Sequence, residues 1–265
     1  MVMLQTVILS SMLKFFITSP ENSIDDYLMV LEFPQNDFTE QSLIRLSRIE
    51  FERKEYGTAA LHYNKLLTVA QDNNLIREST LKLFKCYSKL GIKSSQFEFA
   101  ENLLQMEKID IEIQNEARLV IANHYFEQSE YYIAKKEYVF VSQNNTAEMG
   151  AEAKYQLAYL HFLAEDLDSC ETTIYELSEK YYSDYFIAKG FILLSDIYFE
   201  KENYFQSKAT LQSIVDNYQG EELVNICKQK ISDIEILESQ EQKVIDKEDL
   251  IINLLDSVEL NELFE

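Results

Sequence analysis

Hydrophobic and polar residues follow a helical period along most of this chain, and the pattern itself repeats. It is clearest in residues 151–181, AEAKYQLAYLHFLAEDLDSCETTIYELSEKY, and it returns in residues 187–218, IAKGFILLSDIYFEKENYFQSKATLQSIVDNY. Each copy predicts two amphipathic helices, with a small residue within each helix and a bulky residue at the bend. A repeat of this length is typical of a helical solenoid, in which each helix pair packs only on its neighbours.

Five such pairs can be aligned, and we refer to the first helix of each pair as A and the second as B. The predicted bends lie at Tyr56, Lys93, Tyr131, Leu167 and Tyr204. Residues 76–112 form the weakest copy, because Phe84 and Gln96 stand where other copies have small residues. Moving that bend to Phe97 would place Ala100 in the small position, so two registers remain open there.

Positions that agree between copies predict where helices cross. Helix A carries a large residue followed by a small one at Leu46-Ser47, Ile121-Ala122, Leu157-Ala158 and Leu194-Ser195. Helix B carries a small residue at Ala59, Ala134, Cys170 and Ser207, and four residues later a large one at Tyr63, Tyr138, Ile174 and Leu211. Small residues let two helices approach closely while large ones fill the space beside them.

The whole pattern predicts an all-α chain that forms a right-handed superhelical solenoid of antiparallel helix pairs. Residues 1–40 are expected to form degenerate N-terminal helices, residues 41–220 the solenoid of about five repeats, and residues 221–237 a capping helix. Residues 238–265 are acidic and are expected to be a partly disordered tail. That tail keeps large apolar residues such as Leu255 and Val258, so it is also a candidate docking segment for another protein or for the chain's own groove.

Composition supports helices and narrows the function. The 265 residues include only 5 Gly and 2 Pro, the residues that interrupt helices, and the net charge of −22 disfavours nucleic acid and anionic lipid as partners. Cys86, Cys170 and Cys227 lie far apart inside predicted helices and are expected to be buried hydrophobes. The sequence has neither a Gly-rich phosphate loop nor an HExxH motif, so no cofactor, no metal and no enzymatic activity are predicted.

The repeat positions resemble those of tetratricopeptide-repeat proteins. In residues 113–218, the strings NEARLVIANHYFEQ, GAEAKYQLAYLHF, YFIAKGFILLSDIY and QSKATLQSIVDNY resemble the C-terminal part of the large tetratricopeptide-repeat proteins of Bacteroidota. This resemblance implies a non-catalytic protein-interaction scaffold in the cell envelope or periplasm, either a C-terminal piece or a shortened relative. Residues 1–20 lack the features of a signal peptide and are too short and too polar for a membrane span, so a cytoplasmic location is the alternative.

The A helices line the concave face of such solenoids, and their register predicts a groove for a peptide or protein. The candidate groove residues are Arg48, Phe51, Asn123, Phe126, Tyr155, Tyr159, Phe162, Asp196 and Phe199. Aromatic side chains with occasional polar groups suit the capture of an extended or helical peptide. Tight packing of the helices would bury the same aromatics. Two other functions stay open: a cytoplasmic peptide-responsive regulator, and a structural spacer cut from a longer solenoid.

Overall fold

A computed structural model describes residue 6 and residues 24–262 of the chain. This part contains twelve α-helices and no β-strand. The helices are α1 (Ile24–Leu31), α2 (Thr39–Glu52), α3 (Tyr56–Val69), α4 (Asn73–Leu90), α5 (Lys93–Leu104), α6 (Ile111–Glu127), α7 (Tyr131–Asn144), α8 (Glu148–Leu163), α9 (Leu167–Lys180), α10 (Asp184–Glu200), α11 (Tyr204–Asn217) and α12 (Glu221–Glu262). The all-α fold class is therefore confirmed.

The chain divides into two compact units, Met1–Glu137 and Tyr138–Glu265, and the division falls within α7. Helices α2, α4, α6, α8 and α10 are the predicted A helices, and α3, α5, α7, α9 and α11 are the predicted B helices. The five predicted bend residues are the first residues of the five B helices. This agreement confirms the register of the repeats.

Every A helix ends in the same backbone motif. The residue two positions before each bend has a left-handed conformation, with φ between 57° and 69°: Lys54, Gly91, Ser129, Glu165 and Glu202. The next N–H then reaches back to a carbonyl five residues earlier, as in Asp166 to His161 (3.0 Å) and Asn203 to Tyr198 (2.8 Å). This is the Schellman motif, which satisfies the last carbonyls of a helix and reverses the chain.

The predicted crossing positions are buried. Ala59, Ala134, Cys170 and Ser207 on the B helices are all fully inaccessible, and so are Ala122 and Ala158 on the A helices. The large partners Tyr63, Tyr138 and Leu211 are also fully buried. Each helix crossing therefore combines a close approach at a small side chain with a large side chain beside it.

The weakest copy uses the bend at Lys93, because α5 begins there and not at Phe97. Ala100 is fully buried, but it occupies the position where other copies have a large residue, and Gln96 is half-buried in the small position. Phe84 is buried in α4 and joins one continuous core of the first unit that extends from Leu43 to Ile121. This core thus accommodates a large residue at Phe84 and a small residue at Ala100, the reverse of the sizes in the other copies.

The close packing of the second unit extends to a glycine. An added Cβ at Gly190 of α10 would lie 3.1 Å from Leu177 Cδ2 of α9. Within this unit, helix α12 packs on α11 through Leu223, Cys227 and Ile234, which are buried together with Leu211 of α11. The capping role of residues 221–237 stays a prediction.

Helix α12 continues well past the predicted boundary at residue 237. It runs without interruption from Glu221 to Glu262, so residues 238–249 are helical where the sequence suggested a flexible stretch. Two side chains of α11 contact the first part of this extension. Lys208 pairs with Glu238 at 2.5 Å, and the Tyr204 hydroxyl lies 3.4 Å from the Glu241 carboxylate. In residues 251–262 the structure describes the helix but not the side chains, which include Leu255 and Val258, so docking of the tail stays a prediction.

In the first unit, α1 packs against the first repeat. Tyr27 and Val30 are buried in α1, and this helix packs on α2. Apart from residue 6, the apolar segment 1–20 lies outside the described residues. None of the helices in the described ranges has both the length and the apolarity of a membrane span.

Candidate partner-binding surface

The nine candidate groove residues all lie on A helices, and none of them is fully buried. The structure brings them together in four groups, one each on α2, α6, α8 and α10. Within each group the residues are three, four or seven positions apart, which places them on one side of their helix. Most of them contact side chains of neighbouring helices, so the surface is partly filled by the chain itself.

On α2, the two candidates are engaged by α4. The Arg48 guanidinium donates two hydrogen bonds to the Glu78 carboxylate, at 2.6 and 2.5 Å, and the Lys82 ammonium lies 3.9 Å from the centre of the Phe51 ring. Phe51 also packs edge-on against Tyr56 at a centroid distance of 5.5 Å. These contacts hold consecutive A helices together. They also engage the Arg48 and Phe51 side chains, which the sequence predicted to contact a ligand.

On α6, Asn123 and Phe126 are half-buried. The Phe126 ring lies 5.5 Å from the Tyr131 ring at the bend. Asn123 lines a cavity of about 240 Å³ between α5 and α6, where Phe97 stacks on His124 at 3.8 Å. This part of the surface is mixed in polarity.

On α8, the three aromatic candidates form a row. The centroids of the Tyr155 and Tyr159 rings are 6.3 Å apart, and those of the Tyr159 and Phe162 rings are 6.4 Å apart. In both pairs the ring planes are within 15° of parallel. All three side chains are half-buried, and burial raises the pKa of Tyr155 to about 12. We call Tyr155, Tyr159 and Phe162 the aromatic row.

A lysine of α10 lies over the first ring of the aromatic row. The Lys189 ammonium is 4.4 Å from the centre of the Tyr155 ring, and the rings of Tyr185 and Phe186 are within 6 Å. Burial lowers the pKa of Lys189, because the aromatic surroundings replace water around its ammonium group. A cation is therefore already accommodated on this surface by the chain itself.

On α10, Asp196 and Phe199 border a cavity of about 190 Å³ whose other walls come from α11 and α12. Asp196 pairs with Lys230 of α12 at 2.6 Å. Phe199 is 37% exposed, and its ring lies 5.4 Å from the Tyr204 ring. We call this cavity the Asp196 pocket. A second cavity, of about 740 Å³, lies among α10, α11 and the loop that contains Tyr218 and Gly220.

Sequence reasoning did not find the side chains that contact the candidates, namely Glu78, Lys82, Lys189 and Lys230. One signal was available, because Glu78 and Lys189 occupy the same position in their repeats, fifteen residues before the bends at Lys93 and Tyr204. Both lie near the start of an A helix and reach back to the preceding A helix. Lys230 belongs to α12, outside the aligned repeats, and had no such signal.

The three cysteines are buried as the sequence predicted. Burial raises the pKa of Cys86 to about 11 and that of Cys170 to about 12, and it also raises the pKa of Cys227. Protonated, enclosed thiols are poor nucleophiles and poor metal ligands at neutral pH. They act here as small packing residues.

No protein-family model and no curated protein matches this sequence. Among solved structures, the chain is similar to YrrB, described as a tetratricopeptide-repeat protein with an unusual peptide-binding site. The two share 15% identity and a TM-score of 0.53 over 73% of this chain and 98% of YrrB. Tetratricopeptide-repeat proteins from Parabacteroides merdae (12% identity, 87% and 98% coverage, TM-score 0.40) and Thermus thermophilus (14% identity, 74% and 99% coverage, TM-score 0.41) also match. At this identity the similarity to YrrB shows the fold alone: antiparallel helix pairs of the tetratricopeptide-repeat type.

Proposed function

We propose that this chain is a non-catalytic interaction scaffold that binds a peptide or protein through the A-helix surface of its second unit. The observation that carries the proposal is the aromatic row on α8. Three half-buried rings in parallel planes offer a large, rigid apolar surface, which is what binding hot spots use. Their low side-chain entropy reduces the free-energy penalty of ordering the surface on binding.

The charge of the chain favours a protein partner over a nucleic acid. A net charge of −22 repels a phosphate backbone and attracts basic surfaces. Peptide binding is also what the description of YrrB states for that protein. Among the four groups of candidate residues, the group on α8 has three aromatic rings and each of the others has one, so we assign the binding role to the second unit.

We place the scaffold in an assembly of a bacterial cell envelope, on the basis of the sequence resemblance to Bacteroidota proteins. Fractionation of the native organism tests this location, and recovery of the chain in the cytoplasm alone would favour the regulator alternative. The spacer alternative predicts no specific partner at all.

The test of the proposed function is affinity capture from the native organism, with the intact chain as bait. The variant Tyr159→Ser/Phe162→Ser removes two rings of the aromatic row and is expected to lose the captured partner. Helical content, followed by far-UV circular dichroism, should remain as in the wild type, because both rings are only half-buried.

The matched control is Tyr182→Ser/Phe205→Ser. It removes the same two residue types from positions outside the A helices, where the side chains are 81% and 79% exposed. Capture should survive in this control. Equal capture by both double variants would contradict binding through the aromatic row.

A further inference from the structure

The Asp196 pocket has the dimensions of a site for one side chain. Its volume of about 190 Å³ is below the range of roughly 300–1,000 Å³ that is usual for sites of whole small molecules. Ser195, Ser207 and Ile234 line it together with Asp196, Phe199, Lys230 and Asp233. One long side chain of a bound polypeptide would fill it.

The two serine hydroxyls of the pocket already have hydrogen-bond partners within the chain. The Ser207 hydroxyl donates to the Ser195 carbonyl at 2.9 Å, and the two serine hydroxyls lie 3.0 Å apart. Both residues are buried, so these bonds satisfy polar groups that water does not reach. Selectivity for a ligand must therefore come from the charged residues Asp196, Asp233 and Lys230.

Those three residues give the pocket two carboxylates and one ammonium. Lys230 pairs with Asp196 at 2.6 Å, whereas Asp233 accepts a hydrogen bond from the neutral amide of Gln229 at 2.9 Å. The pocket therefore keeps a surplus of one negative charge. This surplus favours a cation as ligand and disfavours a carboxylate or phosphate.

Lys230 shows which group the pocket accepts, because its own ammonium is bound there. The side chains of Lys230 and Asp196 are 37% and 34% exposed, and an ion pair with this exposure contributes little to stability, because water screens it. The bond can be exchanged for an equivalent bond to an incoming cation. Phe199, 37% exposed, adds an aromatic face for the stem of that side chain.

We propose that the Asp196 pocket binds a lysine or arginine side chain of a polypeptide partner, with Asp196 and Asp233 as its anionic contacts and Lys230 as the internal competitor. The inference rests on the proposed function and adds the chemistry of the partner. Lys189 over Tyr155 is a second cation that the chain itself places on the A-helix surface of this unit.

The experiment selects peptides from a random library displayed on phage, with the full-length chain as target. We expect the selected peptides to be enriched in lysine or arginine at one position. The variant Asp196→Asn/Asp233→Asn should lose this enrichment, whereas the control Asp216→Asn/Glu179→Gln, with the same net charge and both changes at exposed positions, should retain it.

A selected peptide is then synthesised with its basic residue replaced by norleucine, and both forms are titrated by fluorescence anisotropy. The wild-type chain should bind the basic form about tenfold more tightly, a difference of about 1.4 kcal/mol. Lys230→Met should strengthen binding of the basic form and leave the norleucine form unchanged, because it frees Asp196 from its internal partner.

The outcomes separate the two proposals. Two results would overturn the pocket assignment while peptide binding stands. In the first, the selected peptides show no preference for lysine or arginine. In the second, both acid-to-amide double variants lose that preference equally. Weaker binding of the basic form by Lys230→Met also overturns it, because Lys230 would then be a contact and not a competitor. A library that yields no peptides dependent on Tyr159 and Phe162 contradicts the proposed function itself, and the pocket assignment with it.

Discussion

Arg48 of α2 and Glu78 of α4 form a two-bond ion pair, with both N–O distances at or below 2.6 Å. The planar guanidinium matches the carboxylate in this geometry, which a lysine cannot do. The pair joins two consecutive A helices across thirty residues of sequence. A residue that sequence reasoning assigned to ligand binding thus stabilises the contact between repeats.

Reversing one charge of this pair should destabilise the first unit, and reversing both should restore it. Arg48→Glu places two carboxylates together, and we expect a loss of about 1 kcal/mol in the free energy of unfolding, because the Arg48 side chain is 52% exposed. Urea denaturation of Arg48→Glu, Glu78→Arg and the double variant measures the coupling. If the double variant loses as much unfolding free energy as the two single variants lose in sum, the result would contradict a specific pair.

Alanine should have opposite effects at two glycines, because one lies in a left-handed Schellman bend and the other lies in a helix. Neither Gly91 nor Gly57 has a neighbouring atom that an added Cβ would meet, but Gly91 has φ of 69° and Gly57 lies in the first turn of α3. Gly91→Ala should destabilise by about 1–2 kcal/mol, since a Cβ is strained in the left-handed region. Gly57→Ala should stabilise by about 0.4–1 kcal/mol by restricting the unfolded chain. Thermal midpoints that shift in the same direction would contradict this explanation.

The helix crossing at Ala158 predicts strong sensitivity to size. Ala158 is fully buried on α8 against Cys170 and Ile174 of α9, so Ala158→Leu should destabilise by about 1–3 kcal/mol through overpacking. Ala209→Leu is the matched control, because Ala209 is exposed on α11 and should change stability by less than about 0.5 kcal/mol. Similar thermal midpoints for the two variants would be inconsistent with the repeat register.

The ion pair between Lys154 and Glu176 predicts a pH-dependent contribution to stability. The hydrogen bond from Lys154, and the nearby charges of Lys154 and Lys180, lower the pKa of Glu176 in the folded protein. A lowered folded-state pKa means that the contribution is fully present above the unfolded-state pKa of about 4.3, and that it fades as the pH falls through the folded-state value.

The stability difference between wild type and Glu176→Gln should therefore be largest at neutral pH and should shrink in acid. Urea denaturation at a series of pH values measures it. Glu179→Gln removes a carboxylate from an exposed position on the same helix and serves as the matched control. A difference that grows as the pH falls would contradict the ion pair as its cause.

The sequence by itself determined the helix pairs, their bends and the buried crossing positions. Each of these features depends on residues within one repeat, where hydrophobic periodicity and the alternation of small and large residues act locally. Even in the weak copy, the helix start at Lys93 agrees with the spacing of the other bends. The left-handed residue at each bend was not recognised, because only Gly91 among the five is a glycine.

Helix α12 shows where local reasoning about the tail did not suffice. The sequence suggested an end near residue 237 because the apolar stripe stops there and acidic residues follow. Neither Gly nor Pro occurs after Gly220, however, so no backbone signal ends the helix. The helix therefore continues to Glu262, accompanied at first by contacts with Lys208 and Tyr204 of α11.

Only the tertiary structure decided which groups of the predicted groove are engaged by the chain itself. Arg48 contacts Glu78, Tyr155 lies under Lys189, and Asp196 pairs with Lys230, each across some thirty residues or more. Such pairs depend on how closely two A helices approach and on how each is rotated about its axis. Packing sets both quantities through many small contacts, and no single repeat encodes them.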